Sequence, residues 1–275
     1  MKEYILPILI FLGFGALSGI LLLIASKVLA VKTDETEAKI TEALPGANCG
    51  GCGYSGCAGY AAAVAHDGAP TNLCKPGGAD VMKKINAIMG TEGGEFIREV
   101  AYVRCNGCEK ATKDRFTFTG TKSCAAVEKF YNGKGECRFG CDGYGDCAAV
   151  CSNDAITITD GVAVVDPAKC GGCGKCVTAC PNHLIFLRKE TSTVALRCSS
   201  KDSGKVTRTV CTNGCIGCKI CEKKCPHGAV IVADNHAVID YDKCTSCGTC
   251  VSVCPRKCLV NITCAHSEKA EQADK

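Results

Sequence analysis

Two cysteine runs near the C-terminal end of the chain share one spacing, C-x2-C-x2-C-x3-C-P, over residues 215–226 and 244–255. Two intervening residues let the backbone curl around a cube of iron and sulfide, so that three thiolates of a run reach three irons. The fourth thiolate crosses to a second cube. The spacing therefore predicts two [4Fe–4S] clusters with exchanged fourth ligands. The two sets are Cys215, Cys218, Cys221 and Cys254, and Cys244, Cys247, Cys250 and Cys225.

The same arrangement occurs 74 residues earlier, where Cys170 corresponds to Cys244. One of its runs is regular, but in the other Tyr144 stands where the later copy has Cys218. Cys137 lies nearby in the sequence, and we interpret it as the replacement ligand. The predicted sets of this earlier module are Cys137, Cys141, Cys147 and Cys180, and Cys170, Cys173, Cys176 and Cys151.

A different cysteine pattern lies closer to the N-terminus. It is C-x2-C-x4-C-x16-C, formed by Cys49, Cys52, Cys57 and Cys74, and glycines surround it. Glycines let backbone N–H groups approach the sulfurs, which tunes the potential of a cluster, so we predict a fifth [4Fe–4S] site here. The stretch 51–56 also matches G-x-G-x-x-G, but no strand-like run precedes it, which argues against a nucleotide site.

Seven cysteines remain outside these sets. Four of them, Cys105, Cys124, Cys198 and Cys211, are the predicted ligands of a possible sixth cluster. The alternative is that they are buried or free thiols. The full group is Cys105, Cys108, Cys124, Cys198, Cys211, Cys258 and Cys264. No Ser/His/Asp constellation or paired carboxylate motif stands out, so we predict no catalytic residue.

The composition limits the other classes of protein. A disulfide scaffold does not call for an odd count of 27 cysteines in triplets, and zinc sites usually come as separated CxxC pairs. The formal net charge is +4. Each [4Fe–4S] cluster with four thiolates carries about −2, so five would add about −10. An acidic protein without a concentrated Lys/Arg stripe is not expected to bind nucleic acid.

Residues 4–26 contain no charged side chain and are mostly apolar. Such a run is long enough to cross a hydrocarbon core of about 30 Å, so we predict a single membrane anchor. A cleaved signal peptide is the alternative, but the run exceeds the usual apolar region of about 7–15 residues. Lys27 and Lys32 predict that the following part is cytoplasmic. Gly15 and Gly19 form a GxxxG face suited to a partner helix.

The chain is expected to be α+β, with the anchor, a small cysteine-rich domain and two tandem modules. The segments DAITITDGVAVVD and GAVIVADNHAVID alternate apolar and polar residues around a turn, which predicts a β-hairpin in each module. The predicted boundaries are 1–32 for the anchor, 33–45 for a polar, partly helical linker, 46–95 for the cysteine-rich domain, 96–135 for a connecting region, 136–190 and 205–262 for the modules, and 263–275 for a disordered tail.

The anchor, the segment ANCGGCGYSGCAGYAAAV…CKPGG and two bacterial-ferredoxin-like modules follow one another in this order. This order resembles the B subunit of the Rnf complex, the membrane-bound ferredoxin:NAD oxidoreductase that couples electron flow to Na⁺ or H⁺ transport. The second module is similar to the longer form found in anaerobes such as clostridia. The earlier module departs from the plain ferredoxin motif at Tyr144 and at Ser152, which stands in place of the usual proline.

The resemblance implies a location in the cell membrane with the soluble part in the cytoplasm. It also implies that the modules accept electrons from soluble reduced ferredoxin and relay them to the Cys49–Cys74 site, and that other membrane and peripheral subunits complete the reduction of NAD⁺. The chain would be a relay and not the site of hydride transfer. The alternatives left open are an electron-transfer subunit of another membrane complex (a hydrogenase, dehydrogenase or redox-sensor reductase) and a zinc-structural or metal-storage protein.

Overall fold

The computed structural model describes residues 2–28, 34–92 and 94–262, and along the first helix it describes the side chains of residues 11–24. The described residues are α+β. The helices are α1 (Lys2–Val28), α2 (Glu35–Ala43), α3 (Cys57–His66), α4 (Gly78–Met89), α5 (Cys124–Tyr131), α6 (Asp146–Ala149), α7 (Lys175–Ala179), α8 (Gly204–Val210), α9 (Ile220–Lys224) and α10 (Thr249–Ser252). The strands are β1 (Glu99–Val103), β2 (Ile156–Thr159), β3 (Val162–Val165), β4 (Ile185–Lys189), β5 (Val194–Leu196), β6 (Val230–Ala233), β7 (His236–Ile239) and β8 (Leu259–Asn261).

Helix α1 covers most of the predicted anchor. Every side chain described along it is exposed, including Phe11 at 79% and Leu22 at 71%. Where side chains are described, no helix combines the length and the hydropathy needed to cross a membrane. Residues 29–33, which join α1 to the soluble part, and the predicted tail over 263–275 lie outside the described residues.

Helices α2, α3 and α4 pack around one small core. The core centres on Ile40, Tyr60 and Ile85, which are fully or almost fully buried. The Asp34 side chain accepts the N–H of Thr36 at 3.0 Å and so caps the N-terminus of α2. The predicted polar linker is therefore helical over most of its length, and Ile40 fastens it to the cysteine-rich domain.

The two predicted hairpins are confirmed. Strand β2 pairs with β3, and β6 pairs with β7, both antiparallel and joined by two-residue turns. The turn residues, Asp160 and Gly161 in one and Asp234 and Asn235 in the other, all have positive φ. Turns with two left-handed residues match the twist of paired strands, and Gly, Asn and Asp adopt that conformation most readily.

Both modules press a cysteine run against their hairpin turn at equivalent glycines. Gly143 and Gly217 have φ values of 71° and 63°. A Cβ atom at Gly143 would lie 2.4 Å from the carbonyl oxygen of Gly161, and one at Gly217 would lie 2.8 Å from that of Asn235. Only glycine combines that backbone conformation with so close an approach. The repeat is therefore a repeat of backbone packing as well as of cysteine spacing.

Each module contains a further strand from outside its predicted boundaries. Strand β1 lies in the predicted connecting region and pairs antiparallel with β4, with Ala101 opposite Leu187. Strand β5 lies between the predicted modules and pairs antiparallel with β8, with Ala195 opposite Val260. The connecting segments are therefore integral parts of the two modules.

The two modules contact each other along a seam. The backbone N–H of Thr212 donates to the carbonyl of Ala111 at 2.8 Å. The Arg138 guanidinium lies 2.8 Å from a carboxylate oxygen of Asp202. These contacts join residues 64 and 101 positions apart in the chain, so the modules are held side by side.

Candidate iron–sulfur centres

All 26 cysteines among the described residues are free thiols. Within the same residues, no three side chains of His, Cys, Asp or Glu converge closely enough to hold one metal ion. Most of the cysteines surround cavities or lie in groups of four.

The first group belongs to the cysteine-rich domain and is the predicted set Cys49, Cys52, Cys57 and Cys74. The pKa of Cys74 is raised above its ordinary value, chiefly by burial and further by the other three thiols, which lie close to it. Cys57 begins α3, and its backbone N–H donates to Oδ1 of Asn48 at 2.9 Å. A Cβ atom at Gly77 would lie 3.0 Å from Sγ of Cys74 and 2.6 Å from Val81, so only glycine fits there without displacement.

The second group lies in the earlier module. One cavity of about 530 Å³ is lined by the predicted set Cys151, Cys170, Cys173 and Cys176. Backbone N–H groups point at two of these sulfurs. Ala101, in β1, donates to Sγ of Cys170 at 3.3 Å, and Ala155 donates to Sγ of Cys151 at 3.4 Å. Strand β1, from outside the predicted module, thus supplies a contact to this site.

The third group differs from the predicted set. Cys141, Cys147 and Cys180 line a cavity of about 370 Å³, and the fourth cysteine in its lining is Cys124. Cys137, the replacement ligand predicted from the sequence, does not line this cavity. Cys124 is remote in the sequence but lies at the start of α5, which the fold brings to the cavity.

The N-terminus of α5 is held at the cavity by Asp146. The Asp146 carboxylate accepts hydrogen bonds from the Ser123 hydroxyl and from the N–H groups of Cys124 and Ala125, each at 2.9 Å. Burial alone would raise the pKa of Asp146, but these donors outweigh it and lower the pKa. Asp146 begins α6, which carries Cys147. One carboxylate therefore couples two cysteines of the group.

Tyr144 occupies the position of the missing regular ligand and packs away into an aromatic contact. Its ring centroid lies 5.9 Å from that of Phe118, and Nζ of Lys134 lies 5.4 Å from the Tyr144 ring. The sequence showed that this run lacks a cysteine. It gave no sign that α5 would bring the substitute, because that depends on the hydrogen bonds of Asp146.

The later module brings together both of its predicted sets. Cys215, Cys218, Cys221 and Cys254 line a cavity of about 330 Å³. Cys258 also lines it, with its Sγ 3.5 Å from that of Cys254. In the other set, burial is the main cause that raises the pKa of Cys250 to about 11, and the nearby thiols of Cys244, Cys225 and Cys247 contribute.

The remaining cysteines have distinct surroundings. Cys105, Cys198 and Cys211, three of the four residues predicted for a sixth site, line one cavity together with Cys137. Cys124, the fourth residue predicted for that site, lies in the third group instead. Cys108 packs against the core of the earlier module. Cys264 lies outside the described residues.

Known proteins of similar sequence match the chain over most of its length. The B subunit of the ion-translocating oxidoreductase complex of Methanosarcina acetivorans is 40% identical over 248 residues, which cover 90% of this chain and 94% of that protein. The B subunit of the Na(+)-translocating ferredoxin:NAD(+) oxidoreductase complex of Acetobacterium woodii is 43% identical, covering 94% and 78%. The proton-translocating counterpart of Clostridium ljungdahlii is 35% identical, covering 93% and 91%. The chain belongs to the family of B subunits of ion-translocating oxidoreductase (Rnf) complexes.

Family models match the segments that carry the cysteine groups of this Rnf-family chain. Residues 44–76 match the model described as "Putative Fe-S cluster", which covers the first group. Residues 136–184, 169–229 and 214–259 match models described as 4Fe-4S dicluster domains. The predicted family and the presence of iron–sulfur domains are thus confirmed.

The donor chemistry of the groups fits a [4Fe–4S] cluster. Thiolates select iron–sulfur clusters over harder ions, and hydrogen bonds to the sulfurs are a regular feature of such sites. Burial is the main cause that raises the pKa of Cys147 to about 12 and that of Cys176 to about 11. Since the ligand is the thiolate, loading these sites releases protons, and bound iron offsets the cost of burying the charge.

Proposed function

We propose that this chain is the membrane-anchored electron-transfer subunit of an ion-translocating ferredoxin:NAD⁺ oxidoreductase. Reduced ferredoxin delivers electrons to the ferredoxin-like modules, and they leave through the Cys49–Cys74 site to partner subunits that reduce NAD⁺ and transport Na⁺ or H⁺. The relatives from Acetobacterium woodii and Clostridium ljungdahlii carry this activity in their names and support the assignment.

Five groups of cysteines hold the clusters of the relay in this proposal. Each bound [4Fe–4S] cluster supplies a site that accepts and returns one electron. The protein excludes water and directs backbone N–H groups at the sulfurs, which sets the potential. The sets are Cys49, Cys52, Cys57 and Cys74; Cys151, Cys170, Cys173 and Cys176; Cys124, Cys141, Cys147 and Cys180; Cys215, Cys218, Cys221 and Cys254; and Cys225, Cys244, Cys247 and Cys250.

The observation that carries the proposal is the contact between the cysteine-rich domain and the earlier module. A Cβ atom at Gly51 would lie 3.5 Å from Sγ of Cys49 and only 3.0 Å from the carbonyl oxygen of Cys173. The absence of a side chain at Gly51 lets a ligand loop of one site touch a ligand of the next. This contact supports an exit from the Cys151–Cys176 site into the Cys49–Cys74 site.

The anchor is part of the proposal. The uncharged run over residues 4–26 supports a single span, and the exposed apolar side chains over residues 11–24 would find a favourable environment in lipid. A Cβ atom at Gly15 or Gly19 would meet no other atom within 4 Å, which leaves room for a partner helix. Lys27 and Lys32 support a cytoplasmic soluble part.

The test is Cys52→Ser in the assembled complex. This substitution removes one ligand of the exit site, so ferredoxin-driven NAD⁺ reduction should stop while the clusters of both modules stay reducible by dithionite. The control is Ser55→Ala, an exposed change in the same loop that should leave turnover intact. Undiminished NAD⁺ reduction by Cys52→Ser would place the Cys49–Cys74 site outside the path and contradict the proposed relay.

A further inference from the structure

Four cysteines from separate segments line a cavity in the seam between the modules. They are Cys105, which follows β1, Cys137, Cys198, which follows β5, and Cys211, which ends α8. The cavity measures about 360 Å³. The cavity that includes Cys124 measures about 370 Å³, and the one that includes Cys215 about 330 Å³. The seam cavity thus has the size and the cysteine count of the two neighbouring cavities.

The sulfurs in the seam accept backbone hydrogen bonds as those of the regular groups do. The N–H of Gly107 donates to Sγ of Cys105 at 3.3 Å, and the N–H of Cys215 donates to Sγ of Cys198 at 3.2 Å. In the regular groups the corresponding distances are 3.3 to 3.4 Å. A Cβ atom at Gly107 would lie 3.5 Å from Sγ of Cys105 and 3.8 Å from Sγ of Cys211, so these two sulfurs flank one glycine.

The charges around the cavity call for an anion. Arg104 and Arg197 both line it, and both are half-buried. Nε of Arg104 is buried without a hydrogen-bond partner among the described residues. A buried donor that lacks an acceptor costs free energy. Acidic residues are absent from the lining of this cavity. A cluster with four thiolates carries about −2 and would compensate both guanidinium groups.

The repeat explains how a fourfold set arises at the seam. Cys137 and Cys211 occupy equivalent positions of the two modules, and each carbonyl accepts the N–H of the glycine three residues later, Gly140 or Gly214. One ligand thus comes from the same place in each copy, and Cys105 and Cys198 each follow a strand that closes a module.

We propose that Cys105, Cys137, Cys198 and Cys211 bind a sixth [4Fe–4S] cluster at the junction of the two modules. The site rests on the proposed relay for its role, since it would take up one electron from one module and return it to the other with no bond made or broken. Its existence is independent of that role and is tested without turnover.

The experiment measures iron and acid-labile sulfide in the full-length chain purified without oxygen. The wild-type chain should hold about 24 of each, four for each of six clusters, whereas five clusters give about 20. The double variant Cys137→Ser, Cys211→Ser should hold about 20 of each and lose one set of EPR signals. The matched control is Cys108→Ser, which removes a neighbouring thiol that does not line the cavity and should match the wild type.

Each alternative outcome overturns the proposal. A wild-type content near 20 that the double variant leaves unchanged would rule out a sixth cluster. One zinc per chain that disappears in the double variant would show a different metal. Loss in Cys108→Ser without loss in Cys137→Ser would refute the ligand set. The EPR signals of the other clusters report whether a variant has folded, so a folding failure is distinguished from the loss of one site. A relay that fails the Cys52→Ser test would leave all these measurements valid.

Discussion

Replacement of Asp146 by alanine should loosen one ligand of the third cysteine group. The substitution removes three hydrogen bonds of 2.9 Å at the start of α5 and leaves the N–H groups of Cys124 and Ala125 without their acceptor. A hydrogen bond to a charged group contributes about 1.5–3 kcal/mol. Asp146 is partly exposed and its three bonds share one carboxylate, so screening and non-additivity reduce the total to about 2 kcal/mol.

A loss of about 2 kcal/mol raises the population of the locally opened helix about 30-fold, because 1.4 kcal/mol corresponds to a factor of ten. The cluster bound at Cys124 should therefore bleach about 30-fold faster in a chelator, as a fast phase in the visible absorbance. The lowered pKa of Asp146 means that its contribution is present above the ordinary pKa of about 3.9 and is lost as the pH falls through the lowered value. The effect should be complete at neutral pH.

Two variants bracket this measurement. Asp146→Asn keeps one acceptor oxygen and should give an intermediate rate, whereas Glu92→Ala removes an exposed carboxylate and should leave bleaching unchanged. If Asp146→Ala bleached at the wild-type rate, the carboxylate would not hold α5 at the cavity, and Cys124 would lose its structural support as a ligand.

Two further predictions concern the odd ligand and the anchor. Cys124→Ser should cost the third group its cluster, measured as a fall of up to four iron atoms per chain, about four being the content of one cluster. Adding Tyr144→Cys restores the regular run and should recover the iron, and a fall that Tyr144→Cys does not reverse would contradict this ligand exchange. Deletion of residues 1–32 should release a brown protein into the soluble fraction after cell lysis, because the cysteine groups follow the anchor. A truncated chain that stays with the membranes after a salt wash would refute a single N-terminal anchor.

Local spacing was sufficient for the parts of the molecule that are local. The runs that contain Cys170, Cys215 and Cys244 wrap their own sites, because two intervening residues fix where consecutive thiols point. The hairpins were equally readable, since Asp160-Gly161 and Asp234-Asn235 are turn pairs between alternating segments. In these cases the structure depends on residues that are neighbours in the chain.

The sequence could not show which distant segment completes a site. Cys124 and Cys137 exchange places relative to the prediction, because sequence proximity favoured Cys137 while the fold carries α5 to the cavity through Asp146. Strands β1 and β5 were missed for the same reason, since their partners β4 and β8 lie more than 60 residues away. Strand pairing of that kind depends on tertiary packing and leaves no local signal.

The irregular module and the seam are two consequences of one change in the repeat. Where the later module has Cys218, the earlier one has Tyr144, and Cys124 fills the vacancy. Its repeat equivalent, Cys198, is not needed in the later module, because Cys218 already completes that group. Cys198 is therefore free to face the seam with the symmetric pair Cys137 and Cys211. A duplicated module whose copies differ at one ligand thus leaves the thiols that a shared site at their junction requires.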